Sequence, residues 1–78
     1  MIKSLAQLQS NEGGVVVELQ GGFGAIRKLE AMGIRPGKRV VKVSSQPMRG
    51  PVIVSVDGYQ IALGFGVASK VIVDTSLR

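Results

Sequence analysis

The chain contains no cysteine, no histidine and no tryptophan, and only one tyrosine and two phenylalanines. Without cysteine no disulfide can brace the fold. Without cysteine and histidine, the two commonest soft metal ligands and the usual general base are missing together. The seven serines (4, 10, 44, 45, 55, 69 and 76) therefore have neither an imidazole nor a thiolate to work with, and a Ser–Lys pair is the one nucleophilic arrangement left open. Acids are scarce too. Glu12, Glu18, Glu30, Asp57 and Asp74 are scattered, so spacing sets up neither a two-carboxylate catalytic pair nor an oxygen-ligand site for a hard cation. No apolar run approaches the roughly 18 residues of a membrane span, and no segment reads as a signal-peptide core. Three aromatics are also too few for the stacking platforms that accompany single-stranded nucleic-acid binding.

What is present fits one small domain over residues 1–78. Hydrophobic residues make up 45% of the chain, so with few aromatics the core must be aliphatic, built from Val, Ile and Leu. Eleven glycines in 78 residues imply many tight turns between short elements. The net charge is +5, and it is unevenly placed. Arg27, Lys28, Arg35, Lys38, Arg39 and Lys42 lie within sixteen residues whose only acid is Glu30, so this segment carries the whole excess. Such a patch suits an acidic protein partner, nucleic acid or an anionic membrane surface, or serves as a solubilising face.

The most informative stretch is Leu29-Glu30-Ala31-Met32-Gly33-Ile34-Arg35-Pro36-Gly37. It reads as the last turn of a helix, a glycine stop, an apolar residue able to fold back, and a Pro-Gly turn into a strand. The helix is expected over about residues 24–32. Phe23, Ile26, Leu29 and Met32, three apart, sweep its inner side, while Arg27, Lys28 and Ala31 face outward. Arg27 and Glu30 are spaced for an i,i+3 pair. Ahead of the helix, Ser4 is a candidate N-cap for one helical turn over 4–8, with Leu5 and Leu8 inward. Asn11 to Gly14 reads as a turn and Val15–Leu19 as a strand. Gly21 to Gly24 lacks the Gly-Lys-Ser/Thr of a P-loop and misses the dinucleotide-binding spacing, so it reads as structural.

After the helix, 38–45 reads as a strand whose alternation is broken at Val40-Val41, where a bulge would fit. Val52–Val56 is the clearest strand, with Val52, Val54 and Val56 on one face. Asp57-Gly58 signals a hairpin into Tyr59–Leu63. Residues 64–69 read as a bend with a single 3₁₀ turn, and Val71–Val73 as the last strand. Five short strands with turns roughly every 8–12 residues predict a mainly β fold, a small barrel with one inserted helix.

The order Leu29-x-x-Met32-Gly33-Ile34-x-Pro36-Gly37 resembles the signature of the ferrous iron transport protein A (FeoA) family. Val40, Pro47, Gly50-Pro51-Val52, Val54, Val56 and Gly58 agree in order and spacing, as do Ile61-Ala62-Leu63 and Ala68-x-x-Val71-x-Val73. Leu5, Leu8, Gly14 and Val16 fit its start. The chain departs from the pattern at Gly64, where members often carry Arg, at Gly66-Val67, and at Lys42, where an apolar strand residue is common.

The resemblance implies an SH3-like barrel in a stand-alone, non-enzymatic accessory to bacterial or archaeal ferrous iron uptake. It implies a cytosolic location and, as partner, the cytosolic GTPase part of the membrane transporter FeoB. Arg27, Lys28, Arg35, Lys38 and Arg39 are the candidate contact residues. Leu29, Met32, Gly33, Ile34, Pro36 and Gly37 are assigned to structure. Related barrels in iron-dependent repressors can contribute metal ligands. The resemblance therefore allows a transition-metal (iron) role as an alternative, for which the sequence supplies no ligand set. A small nucleic-acid-binding barrel is the third reading, and pairing of the chain with itself is also allowed.

Overall fold

The computed structural model describes residues 1–77. Its elements are β1 (Ile2–Ser4), a 3₁₀ turn (Leu5–Gln7), β2 (Gly13–Leu19), α1 (Phe23–Ala31), β3 (Arg39–Ser45), β4 (Val52–Val56), β5 (Tyr59–Leu63), α2 (Phe65–Ala68) and β6 (Val71–Asp74). The strands form one antiparallel sheet in the order β1-β6-β2-β3-β4-β5. The ladder runs from β1 to β5, and each of these end strands has a strand neighbour on one side only.

Period-2 burial drives the sheet. Val52, Val54 and Val56 of β4 are fully buried while Ile53 and Ser55 between them are only partly so. Val40 of β3, Val16 of β2, and Val71 and Val73 of β6 join them, closed over by Leu5, Leu8, Leu29, Ile34, Leu63 and Ala68. Removing each Val, Leu or Ile from water is worth about 1.5–3 kcal/mol. Leu5 and Leu8 therefore make the N-terminal segment a wall of the core rather than a tail.

The structure adds a sixth strand to the five expected. β1 is only three residues long and pairs Ile2 with Asp74 and Ser4 with Ile72, far along the chain. Residues Gly13 and Gly14, expected in a turn, already pair with Val41 and Val40 and extend β2. The irregularity in β3 lies between Lys42 and Ser44 rather than at Val40-Val41. Residues 65–68 form an α turn instead of a 3₁₀ turn. The 57–58 hairpin has φ of 52° at Asp57 and 86° at Gly58, the pair of positive values that suits the right-handed twist of its strands.

The helix ends as its residues dictate. The Ile34 amide donates to the Leu29 carbonyl at 3.0 Å and the Gly33 amide to the Glu30 carbonyl at 3.0 Å, the two bonds of a Schellman stop. Gly33 takes φ 88° and Ile34 is fully buried. Pro36 and Gly37 (φ 92°) then turn the chain, with Lys38 N–H donating to the Arg35 carbonyl at 3.0 Å. This turn is bonded to β2 on both sides. Gly37 N–H donates to the Val16 carbonyl, and Val16 N–H to the Lys38 carbonyl, both at 2.8 Å.

A Cβ at Gly33 would make only ordinary van der Waals contacts, the nearest with Val56 at 3.5 Å, so Gly33→Ala chiefly tests backbone conformation. A left-handed residue with a Cβ costs about 1–2 kcal/mol. Chemical denaturation should show that loss with an unchanged slope. An unchanged midpoint would mean the stop does not need its glycine.

Candidate functional site

The basic residues singled out in the sequence are dispersed by the fold. Arg27 and Lys28 are exposed on α1. Arg27 lies with its guanidinium 5.5 Å from the Phe23 ring centre rather than against Glu30, and the expected i,i+3 ion pair is not among those of the described residues. Phe23 itself, expected inward, is 75% exposed. It sits at the first position of the helix, beyond the part that Leu29 anchors to the core. Arg35 reaches back from the exit turn toward the Glu30 carbonyl at 3.4 Å. Lys38 is engaged with the Asp57 carboxylate at 3.1 Å. Arg39 points outward from β3 into a shallow depression of about 390 Å³ that it shares with Asn11, Glu12 and Thr75. The structural set behaves otherwise as one unit: Leu29 and Ile34 are buried, Met32 packs on the core, and Gly33, Pro36 and Gly37 form the turn.

Lys42 does not belong to the surface at all. It follows Val40 on the inward side of β3 and is 4% exposed. Its ammonium donates to the Leu8 carbonyl at 2.7 Å and the Ala6 carbonyl at 3.0 Å. These are the orphan carbonyls at the end of the 3₁₀ turn, which has no further turn to satisfy them. The backbone of Lys42 holds the same segment. Its carbonyl accepts from Asn11 N–H at 2.6 Å and its amide donates to the Glu12 carbonyl at 2.9 Å. Burial pushes the Lys42 ammonium below its ordinary value, opposed by the negative charge of Glu12. Glu12 completes the clasp by accepting from Gln9 N–H at 2.9 Å and from Lys3 at 3.2 Å. These two bonds, the backbone one first, hold its carboxyl below the usual range. Of the six cations in the sequence cluster, one is thus a structural brace and one is locally paired.

A feature that sequence reasoning missed lies beside α1. An open groove of about 490 Å³ runs between Gly24, Ala25, Lys28, Leu29 and Met32 of the helix side and Ala62, Leu63, Gly64 and Val67 of the β5–α2 corner. Its lining is mostly apolar. The small residues Gly24 and Ala25, one turn before Lys28 and Leu29, were the available signal, but nothing local says that β5 would lie opposite them. Among the described residues no group of three or more His, Cys, Asp or Glu side chains could hold a metal ion, and no helix is long and apolar enough to cross a membrane.

A six-stranded antiparallel sheet with a short helix inserted between the adjacent strands β2 and β3 defines a small SH3-like domain, with cations on that helix and its exit and an apolar groove alongside. The FeoA domain family matches residues 3–75, and the chain belongs to that family. Its members are non-enzymatic accessory proteins of ferrous iron transport. A Methanocaldococcus jannaschii protein provisionally named Fe(2+) transport protein A is 37% identical over 70 residues, covering 90% of this chain and 83% of that one. Among solved structures, an iron uptake regulatory protein (FeoA) superposes with a TM-score of 0.87 at 40% identity, over 94% of this chain and 96% of the other. Stenotrophomonas maltophilia FeoA, solved in complex with zinc and described as a prokaryotic SH3 domain protein, gives 0.79 at 30% identity, over 94% and 91%.

Lys42→Met tests the clasp. It leaves two carbonyls without their donor, each worth about 1–3 kcal/mol when buried, offset by removal of the ammonium's desolvation. Net destabilisation of about 1–3 kcal/mol is expected from urea melts. Because the folded-state value of Lys42 is lowered, the unfolded chain holds more protons between that value and the ordinary 10.5. Wild-type stability from this group therefore rises with pH across that window, and its advantage over Lys42→Met should widen there. A gap that narrows with rising pH would contradict the buried ammonium.

Proposed function

We propose that this chain is a cytosolic module that docks on the GTPase part of the FeoB transporter and uses the cations of α1 and its exit turn to meet an acidic surface. The observation that carries this reading is the survival of unpaired cations after folding. Arg27, Lys28, Arg35 and Arg39 are exposed and take part in no ion pair among the described residues, whereas Lys38 has Asp57 and Lys42 is buried. Family membership supports the setting, a ferrous iron transport system. Exposed charges of this kind steer encounter and orientation more than they deepen affinity, which suits a reversible accessory.

A transition-metal role is the second reading. It is favoured by the zinc complex of the Stenotrophomonas maltophilia relative. Calorimetry with ferrous or manganous ion tests it, and a stoichiometric heat would place metal binding beside docking.

The docking reading predicts that Arg27→Glu with Lys28→Glu slows association with the soluble FeoB GTPase domain. The expected drop is about tenfold at low ionic strength, fading as salt approaches physiological levels. Stopped-flow or surface-plasmon kinetics would show it. Binding that is unchanged at low salt rules out these two residues as contacts.

A further inference from the structure

The hairpin between β3 and β4 ends in a turn that its own residues resist. Met48 and Arg49 both take the left-handed conformation, with φ of 59° and 60°. The Gly50 amide donates to the Pro47 carbonyl at 3.3 Å and closes a two-residue turn of the kind that Asn-Gly forms without strain. Here both central residues carry a Cβ and neither is Asn or Asp, so the conformation is costly at each. The arms below hold the turn in place. The Gln46 amide donates to the Pro51 carbonyl at 3.1 Å, and a Cβ on Gly50 would come within 2.6 Å of the Gln46 Cβ. Strain kept in a tightly built turn points to a use for the side chains it presents.

The tip presents Met48, which is 98% exposed. Beside it the Arg49 guanidinium lies 5.7 Å from the Phe65 ring centre, and Phe65 packs on the core, so the tip is fixed against α2. Val67, exposed on the same short helix, extends the apolar surface. Charge here is of one sign. Residues 43–56 and 58–73 contain no Asp or Glu, and their ionisable groups besides Tyr59 are Arg49 and Lys70. The hairpin is also poor in free donors. Pro47 and Pro51 have no amide hydrogen, and the amides of Gln46 and Gly50 are bonded within the loop. Only Met48 and Arg49 keep loop amides without a backbone partner among the described residues.

A protruding apolar tip beside a cation, free of acids and short of donors, suits the boundary between water and an anionic bilayer. There an apolar side chain can enter the acyl boundary while an arginine keeps its head among the phosphates. Two remaining amides are few enough for headgroup oxygens to satisfy, and they set the depth at the interface rather than in hydrocarbon. An acidic protein surface would answer the cation equally. It would gain nothing from the shortage of donors, and it would have to supply a socket for Met48.

We infer that the β3–β4 hairpin tip is a lipid-contacting element, which inserts Met48 at an anionic membrane surface, sets Arg49 on headgroup phosphates and lays Phe65 and Val67 of α2 against the interface. Its residues are not those assigned to FeoB docking, so either proposal can fail alone.

The chain has no tryptophan, so Met48→Trp places a single emitter at the tip. Vesicles of equal parts phosphatidylglycerol and phosphatidylcholine should move its emission to shorter wavelength. Phosphatidylcholine alone should not, and the shift should fade as salt screens the headgroups. Flotation of the unsubstituted chain with the same vesicles measures binding without the added indole. The double variant Met48→Asn with Arg49→Gly removes the apolar group and the cation and supplies the residues the turn prefers. It should unfold at a higher temperature than the parent, yet bind vesicles roughly tenfold or more weakly. Lost binding then does not reflect lost folding. Four results would overturn the inference: no shift and no flotation, equal binding to phosphatidylcholine alone, vesicle binding that survives in the double variant, or a double variant less stable than the parent. So would the same emission shift on adding the soluble FeoB GTPase domain in place of vesicles, which would mark the tip as a protein contact. Binding of that domain with the emission unmoved supports both proposals. Vesicle binding with no binding of the domain keeps the lipid contact and removes the docking reading.

Discussion

The left-handed stop at Gly33 is the constraint on which the remaining structure depends. It satisfies the last carbonyls of α1 and drives Ile34 into the core in one step. The chain then has four residues, Arg35 to Lys38, in which to reverse before β3 begins, and the Pro36-Gly37 turn does so while bonded to Val16 on both sides. That attachment fixes Val15 opposite Arg39 and so sets the register of β2 against β3. A shift of one residue would exchange the faces of Val40 and Arg39, placing a guanidinium in the core and a valine in water. The inward position of Lys42 follows from the same register, since it shares a face with Val40.

Lys42 shows why a cation count misreads a surface. In the sequence it is one of six positive residues and marks a departure from an apolar family position. In the fold it does the work of a helix cap. The 3₁₀ turn ends at Gln7 with its carbonyls facing the sheet, and no donor of the local backbone can reach them. A buried ammonium is expensive, but one with two carbonyl partners and a nearby carboxylate costs less than two orphan carbonyls in an apolar wall. The N-terminal segment is then tied by Lys42, Glu12 and Lys3 to β3 and by β1 to β6.

What could be read in advance was local. The Gly33-Ile34 stop, the Pro36-Gly37 turn, the Asp57-Gly58 hairpin and the alternation of β4 are each decided by residues within five or six positions. The FeoA family pattern was legible because it is made largely of such turn and core positions in sequence. What could not be read depends on partners far along the chain. β1 exists because Asp74, Val73 and Ile72 lie beside it. Phe23 was placed inward by a three-residue spacing that is sound for the helix, yet the core ends short of its first turn. The candidate site divides the same way. The exposure of Arg27, Lys28, Arg35 and Arg39 follows from their charge, whereas the pairing of Lys38 with Asp57 and the groove opposite Lys28 are products of long-range register.

The division of α1 into two flanks is what gives its charges separate meanings. Arg27, stacked on an exposed phenylalanine, presents a flat cation on open surface. Such a group acts through the long-range field and is screened by salt within about a Debye length. Lys28 stands beside an open, mostly apolar groove whose lining carries no opposing charge. Two adjacent cations on one helix are thus unequal by position. Arg27 favours arrival of any acidic surface, and Lys28 favours one that can also fill the groove.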